Sequence, residues 1–368
     1  MLLSSLRALR LALFGACLAT LPVLPAQNPH AVCATTPDLA ALCRAIGGDL
    51  VVVTCFVKGP EDPHFLEARP SMVRAASKAA ALVEVGRDLE VGWLPLLIDN
   101  SRNGAIQAGQ PGRIVTGEVV RKLGVPTGPV DRSFGDVHAG GNPHFLADPL
   151  CGLQVAQLLR DRFTAMWPAE REVFAANFTA FRDQLAVAMV GEEVAKRYDH
   201  DAAKFATLFP SGKLEAVLQE QGDLGELGGW FLTLRALRGS AVVADHDLWP
   251  YFAERSGITV VGFFEPKPGV APTTAHLSEI TASMRANQVH AILSAPYFDP
   301  KHADLVARTT GASIAAMAHQ PGAQPGTDDY LGFVDYNVRT LAAALLAGKA
   351  QAAKTQSAPA AAGKSESK

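Results

Sequence analysis

The sequence lacks an excess of charge of either sign. Its 368 residues include 33 lysines and arginines against 36 aspartates and glutamates, which gives a formal net charge of −3. A protein that binds the nucleic-acid backbone needs a basic patch or stripe, and this balance predicts no nucleic-acid partner. The composition is that of a globular chain long enough for two medium domains.

No run of apolar residues beyond the first 26 is long enough to span a bilayer. Within residues 1–26, Arg7 and Arg10 precede an apolar run that ends in small residues, which is the pattern of a secretory signal peptide. We expect cleavage after Ala26 and a mature protein that is periplasmic or otherwise extracytoplasmic. Lipid anchoring at Cys17, within an imperfect lipoprotein-type cleavage site, is the alternative.

Cysteine is scarce, and the four cysteines beyond the signal region form no Cys-x-x-Cys pair. This spacing excludes the usual thiolate zinc site. Export makes disulfides possible, and Cys33 and Cys55, both in predicted strands, are one conceivable pair. Buried free thiols are the alternative. The pairing stays open among Cys33, Cys43, Cys55 and Cys151.

Apolar strand-like runs alternate with helical patterns along the chain, which favours parallel sheets with right-handed crossovers. The predicted strands are residues 31–34, 50–54, 82–85, 113–116, 241–244, 258–264, 289–294 and 313–317. Between the two groups, residues 169–190 contain no glycine or proline and carry an apolar stripe, which predicts one long helix. The sequence thus predicts an α/β fold of two lobes, each a mainly parallel sheet flanked by helices, joined by that rigid helix.

The expected boundaries follow from this pattern. The N-terminal lobe covers residues 27–167, the connecting helix residues 168–192, and the C-terminal lobe residues 193–346. Residues 347–368 consist mainly of alanine, lysine, serine and glutamine without apolar periodicity, so we expect a disordered tail.

Two Pro-His-Phe triplets each place a histidine, His64 or His144, in a stiff turn, because proline fixes its own backbone and restricts the residue before it. Further potential ligands at the ends of predicted strands are His246, Glu265 and His319. Ligands collect at the carboxyl ends of strands in open α/β sheets. Because imidazole nitrogen suits zinc, the sequence predicts a zinc site between the lobes, to which both contribute.

These stretches resemble the metal-binding receptors of ABC importers, the cluster A-I family of zinc and manganese solute-binding proteins. The order and spacing hold from about Val32 to Leu346. The matching stretches are Asp38-Leu39-Ala40, Asp62-Pro63-His64, Pro70-Ser71, Gly141-Asn142-Pro143-His144, Asp148-Pro149, Asp245-His246-Asp247, Pro250-Tyr251-Phe252, Glu265-Pro266-Lys267-Pro268-Gly269 and Tyr336-Asn337.

The resemblance implies a receptor that is not an enzyme, captures Zn²⁺ between two lobes and delivers it to the permease of an ABC importer. By position, His64, His144 and His246 correspond to the family's first three ligands. Manganese members typically have glutamate at the third position, so His246 favours zinc. Zinc is then the transported ligand, and the receptor is expected to act as a monomer.

The fourth ligand is where the sequence departs from the family, which usually has an aspartate near the end of the last strand. His319 stands there and is expected to replace it, with Glu265, Asp328 or water as alternatives. His138, six residues before His144, is a further alternative or a residue behind the ligands. Many zinc members also carry a histidine-rich acidic loop, but residues 65–135 contain no histidine.

Two other functions compete with zinc delivery. The same receptor could carry Mn²⁺ or Fe²⁺. A secreted zinc hydrolase is the less favoured alternative, with Glu265 as its general base, because catalytic zinc needs an open position and a nearby base. No His-Glu-x-x-His motif supports that second alternative.

Overall fold

Two four-stranded sheets, each with all its strands parallel, form the frame of the molecule. The computed structural model describes residues 28–128, 138–267 and 269–357. The first sheet has the order β2-β1-β3-β4 and the second β6-β5-β7-β8. The strands are β1 His30–Ala34, β2 Val51–Cys55, β3 Ala81–Glu84, β4 Arg113–Val115, β5 Ala241–Ala244, β6 Thr259–Phe263, β7 Ala291–Ser294 and β8 Ser313–Ala316.

Helices flank both sheets, and the predicted two-lobed α/β fold is confirmed. The helices are α1 Pro37–Gly47, α2 Pro70–Ala76, α3 Leu94–Ser101, α4 Pro149–Met166, α5 Arg171–Val190, α6 Glu192–Arg197, α7 Ala202–Leu208, α8 Lys213–Gln221, α9 Gly229–Arg235, α10 Pro250–Ser256, α11 Thr274–Ala286, α12 Pro300–Thr310 and α13 Tyr330–Ser357. None of the described helices is both long and apolar enough to cross a membrane.

One hydrophobic cluster runs through both lobes. It includes Val32 of the first sheet, Phe174 of α5 and Leu293 of the second sheet. Each sheet also has an outer cluster of its own, around Trp93 in the first lobe and Met284 in the second. Strands buried on both faces read as continuous apolar runs, which is why the strands were visible in the sequence.

The long helix predicted between the lobes is present as α5, preceded by a short 3-10 turn at Pro168–Glu170. Its apolar stripe, which includes Phe174, Phe178 and Phe181, is buried in the shared cluster. At 1.5 Å per residue, the helix is roughly 30 Å long. It therefore extends the core common to both lobes as well as joining them.

Two groups of polar contacts also tie the lobes together. Arg255 of α10 donates through Nε to Oδ1 of Asp148 at 2.8 Å, and both side chains are buried. Gln320, which follows β8, donates through Nε2 to three backbone carbonyls of the loop after β2, at 2.9–3.0 Å. Next to the Gln320 contacts, the backbones of the two lobes pack directly against each other at Gly59 and Gly322. A Cβ added to Gly59 would lie only 2.1 Å from the carbonyl carbon of Gly322.

The structure corrects two of the predictions made from the sequence pattern. Helix α13 continues to Ser357, so residues 347–357 are helical where a disordered tail was expected, because alanine, lysine and glutamine favour helix without any apolar stripe. Four short helices, α6 to α9, occupy a region in which none was predicted. Residues 1–26, with the predicted signal peptide and Cys17, and residues 358–368 lie outside the described residues.

The four described cysteines are all free thiols. Cys33 pairs in register with Thr54, whereas Cys55 pairs with Ala34. Since side chains alternate between the faces of a sheet, Cys33 and Cys55 lie on opposite faces and cannot form the disulfide that the strands suggested.

The Arg255–Asp148 ion pair yields a stability prediction. Replacing Arg255 with Met leaves the Asp148 carboxylate buried without its cation, which should lower the free energy of unfolding by about 3–5 kcal/mol. Urea unfolding followed by circular dichroism measures the change. Arg171→Met is the control, since Arg171 and Glu172 form an exposed pair, and its stability should stay within about 0.5 kcal/mol of the parent. Equal stability of the two variants would contradict the prediction.

Candidate metal centre

Three imidazoles from separate parts of the chain converge between the lobes. His64 lies in the loop after β2, His144 in the loop before α4, and His246 two residues after β5. One ring nitrogen from each lies within 4.8 Å of those of the other two. The ring centroids are 5.1 Å apart for His64 and His144, and 5.9 Å apart for His144 and His246. The structure thus brings together three of the four histidines that the sequence proposed as ligands.

Asp62 fixes both the backbone and the ring of His64. Its Oδ1 accepts a hydrogen bond from the His64 backbone N–H at 2.9 Å and lies 2.7 Å from Nδ1 of the same residue. Trp93 holds the intervening Pro63 by donating from Nε1 to its carbonyl at 3.0 Å. With Nδ1 engaged, the Nε2 atom of His64 is the one presented to the site. Asp62 does not cap the next helix, because α2 follows Arg69 and has no side-chain cap.

Asn142 plays the corresponding part in the second Pro-His turn. Its Oδ1 accepts from the His144 backbone N–H at 2.9 Å, while its Nδ2 donates to the backbone carbonyl of Asp247 at 2.7 Å, across the lobe boundary. Nε2 of His144 is buried and has no hydrogen-bond partner. A buried polar atom without a partner is costly, and a metal ion would satisfy it.

Glu265 stands behind His246, on the side away from the other imidazoles. Its Oε2 lies 2.8 Å from Nδ1 of His246 and also accepts from the backbone N–H of Gly269 at 3.0 Å. A carboxylate on Nδ1 sets the tautomer, orients the ring and leaves Nε2 for a metal. Glu265 therefore occupies an orienting place, and the structure does not bring it into the imidazole cluster as a ligand or a general base.

His138 lies beside the three converging imidazoles. Its Nε2 is 3.3 Å from Nε2 of His64, and the two rings stack with centroids 5.3 Å apart. The ring of His138 also hydrogen-bonds the backbone of Arg87. Two nitrogen ligands on a tetrahedral zinc ion, with Zn–N distances of about 2.0–2.1 Å, lie about 3.3–3.4 Å apart. The spacing between these two Nε2 atoms therefore fits a pair of zinc ligands.

His319 lies in the same region but is engaged elsewhere. Its Nε2 bonds the backbone carbonyl of Glu61 at 3.1 Å, and its ring meets Tyr297 edge-on with centroids 4.7 Å apart. Its Nδ1 is buried without a partner, but no ligand atom of His319 belongs to the set within 4.8 Å. Asp328, the other alternative from the sequence, is exposed in the loop before α13.

The environment keeps two of these imidazoles, those of His144 and His138, neutral. Burial lowers the pKa of His144 well below its usual value, and the neighbouring imidazoles of His64 and His246 lower it further. The same causes lower the pKa of His138 to about 3. Since a metal binds only the neutral imidazole, these two side chains are ready to coordinate at neutral pH.

Two parallel-sheet lobes with a histidine cluster between them define a class, the two-lobed metal-binding receptors. The chain belongs to the family described as zinc-uptake complex component A, periplasmic, whose model matches residues 32–206 and 221–344. This is a family of metal-binding solute-binding proteins and not of enzymes. The resemblance to the cluster A-I receptors, zinc-type, is confirmed.

Individual relatives are distant. The chain is 20% identical over 268 residues to the zinc-binding lipoprotein AdcA of Streptococcus pneumoniae, covering 72% of this chain and 44% of that protein. It is 24% identical over 176 residues to the high-affinity zinc uptake system protein ZnuA of Haemophilus influenzae, covering 48% and 41%. The chain thus spans less than half the length of these two curated relatives. For ZnuA of Yersinia pestis the identity is 20%, and the match covers 82% of this chain and 83% of that protein.

Solved structures share the fold. A crystal structure of ZnuA superposes with a TM-score of 0.60 at 19% identity, covering 86% of this chain and 99% of that one. The laminin-binding adhesin Lmb of Streptococcus agalactiae, in a mutant structure, gives a TM-score of 0.62 at 18% identity with the same coverage. At these identities the likeness establishes the two-lobed architecture alone.

The two carboxylates behind the imidazoles yield a prediction. Asp62→Asn and Glu265→Gln remove the charge that orients His64 and His246, and each should weaken zinc binding by about 10–100-fold. Competition with a chromogenic chelator measures the affinity. Glu279→Gln is the matched control. Glu279 is also a carboxylate near a histidine Nδ1, 3.8 Å from that of His276, but it is 78% exposed. His276 does not belong to the three converging imidazoles. Parental affinity in both site variants would exclude an orienting role.

Proposed function

We propose that the protein is an extracytoplasmic receptor that captures Zn²⁺ between its lobes and delivers it to the permease of an ABC importer. The observation that carries the proposal is the convergence of three imidazoles, from both lobes, around a buried Nε2 of His144 that has no partner. The names of the relatives in zinc uptake support the same ion. His64, His144 and His246 are the three ligands of this proposal.

The chemistry of the cluster favours zinc over manganese and iron(II). Nitrogen donors suit zinc, whereas manganese prefers carboxylate and carbonyl oxygen. The two carboxylates nearest the imidazoles, Asp62 and Glu265, are engaged with Nδ1 atoms and stand behind the rings. A related periplasmic metal-binding protein from Candidatus Liberibacter asiaticus has been solved with manganese bound, so manganese is the second ion to test.

His138 is the fourth ligand of the proposal, and His319 is its alternative. The 3.3 Å spacing of the Nε2 atoms of His138 and His64 supports His138. Its bond to the Arg87 backbone would hold the ring in place. His319 is anchored similarly, by the Glu61 carbonyl, and has a buried Nδ1 without a partner. Both candidates lie outside the set of three converging imidazoles, so the short distance from His138 to His64 is what favours His138.

The remaining parts of the proposal concern location and partner. The signal-peptide pattern at residues 1–26 supports export. Names of the relatives include both periplasmic and lipoprotein forms, so lipid anchoring through Cys17 stays the alternative to a free mature protein. Delivery requires an ABC permease as the partner, and a single chain contains the whole site, so the receptor is proposed to act as a monomer.

Metal titration tests the proposal. The chain without residues 1–26, stripped of metal, should bind one zinc ion per chain, more tightly than manganese or iron(II). His64→Ala, His144→Ala and His246→Ala should each lose more than about 100-fold in zinc affinity, beyond the loss expected for residues behind the ligands. His302→Ala, on α12 outside the cluster, is the control. If all three variants bound zinc like the parent, the site would lie elsewhere.

The fourth ligand is tested by comparing His138→Ala with His319→Ala. We expect the first to weaken zinc binding and the second to bind nearly as the parent does. Cobalt(II) spectra of both variants report the number of nitrogen ligands, because a ligand replaced by water changes the field at the metal. Loss of affinity in His319→Ala alone would assign the position to His319.

A further inference from the structure

Arg87 links the loop that carries His138 to the opposite lobe. Its Nη1 donates to the hydroxyl of Tyr251 at 2.6 Å and to the carbonyl of Asn142 at 3.0 Å. Its Nη2 donates to the carbonyls of Gly117, at 2.7 Å, and Val120. A single guanidinium therefore fastens two stretches of the connection between β4 and α4 to a side chain of α10 in the C-terminal lobe.

The hydroxyl of Tyr251 is the meeting point of these contacts. Besides Arg87, it accepts from the backbone N–H of Leu123 at 2.9 Å and donates to the carbonyl of Arg121 at 2.9 Å. These bonds hold the Tyr251 hydroxyl among groups of the N-terminal lobe. Because Tyr251 is only 2% exposed, the hydroxyl is also shielded from water. Separation of the lobes would remove this hydroxyl from Arg87.

The backbone at Arg87 has an unusual conformation. Gly86, Arg87 and Asp88 have successive φ values of 78°, 54° and 65°. Left-handed conformation costs a residue with a Cβ roughly 1–2 kcal/mol, so two such residues in succession persist only where surrounding contacts hold them. The side-chain bonds of Arg87 supply some of those contacts, and buried Glu90 supplies others by accepting from the N–H groups of Val85 and Gly86.

This same strained backbone bonds the ring of His138. The backbone at Gly140, two residues after His138, also lies close to Arg87. A Cβ added to Gly140 would be 3.3 Å from Cα of Arg87. The other side of the His138 ring presents Nε2 toward His64. The position of the His138 ring thus depends on a turn that is held by contacts reaching into the other lobe.

We propose that Arg87 is a positioning residue that couples contact between the lobes to the fourth metal ligand. When Tyr251 is seated, the guanidinium holds the turn and the turn holds His138 against the metal. When the lobes separate, His138 loosens first, while His64 and His246 keep the carboxylates that orient them. This rests on the proposed zinc site and adds a residue through which a partner that separates the lobes would weaken metal binding.

A double-mutant cycle tests the coupling. Arg87→Gly removes the side chain but tolerates the left-handed backbone, and it should weaken zinc binding by about 10–100-fold, the loss expected for a residue that positions a ligand. The double variant should lose no more zinc affinity than His138→Ala alone, because both changes remove the same ligand. Cobalt(II) spectra of Arg87→Gly should match those of His138→Ala.

Two further variants complete the design. Tyr251→Phe removes the hydroxyl from the opposite lobe and should shift the cobalt spectrum in the same direction. Arg121→Ala is the matched control, since Arg121 also bridges the lobes, to Glu254, but the pair is exposed; its zinc affinity should equal that of the parent. Arg87→Lys, which keeps the charge without the forked donors, should not restore the parental spectrum.

The outcomes separate the two hypotheses. A parent that binds no zinc would overturn the proposed function. A parent that binds zinc, with Arg87→Gly indistinguishable from it in affinity and spectrum, would overturn only the coupling. Additive losses in the double variant, or an equal loss in Arg121→Ala, would also overturn the coupling, because they would indicate a general weakening of the lobe interface.

Discussion

The buried Nε2 of His144, which has no hydrogen-bond partner, is the feature on which the rest of the site depends. Leaving such an atom unsatisfied costs about 1–3 kcal/mol in a folded protein, and a metal ion is the natural acceptor of its lone pair. Burial holds the ring neutral by lowering its pKa, so only one of its two nitrogens carries a proton at neutral pH and the other can bind a metal. The surrounding imidazoles and the carboxylates behind them complete an environment suited to a divalent cation.

Local sequence and overall fold cooperate to hold that environment. In both Pro-His turns the residue before proline, Asp62 or Asn142, bonds the backbone N–H of the histidine after it, which fixes the backbone from which the imidazole projects. The sheets then bring turns from distant parts of the chain to one place, and the hydrophobic cluster common to both lobes packs the lobes against each other. Because Asn142 also donates to the backbone of Asp247, the second turn is itself a contact between the lobes.

The fold and part of the site could be predicted from the sequence, and for physical reasons. Strands buried on both faces appear as apolar runs, and His246 lies two residues after one of them, so its place at the sheet edge could be predicted. The same rule located His319 after β8 but could not show that its Nε2 bonds the carbonyl of Glu61, because side-chain direction depends on the opposite lobe. His138 belongs to a loop without periodicity, and its closeness to His64 follows from the turn at Arg87, which no local pattern reveals.

The hydrophobic cluster that joins the lobes also bears on the thermodynamics of capture. A receptor whose halves swing freely loses conformational entropy when its ligand closes them, whereas a shared core means that most of this ordering takes place when the chain folds. The free energy of capture then depends mainly on exchanging the hydration shell of the ion for imidazole nitrogens. An ion that binds only the folded chain also stabilises it by mass action, so the loaded receptor would be more resistant to unfolding and proteolysis than the empty one.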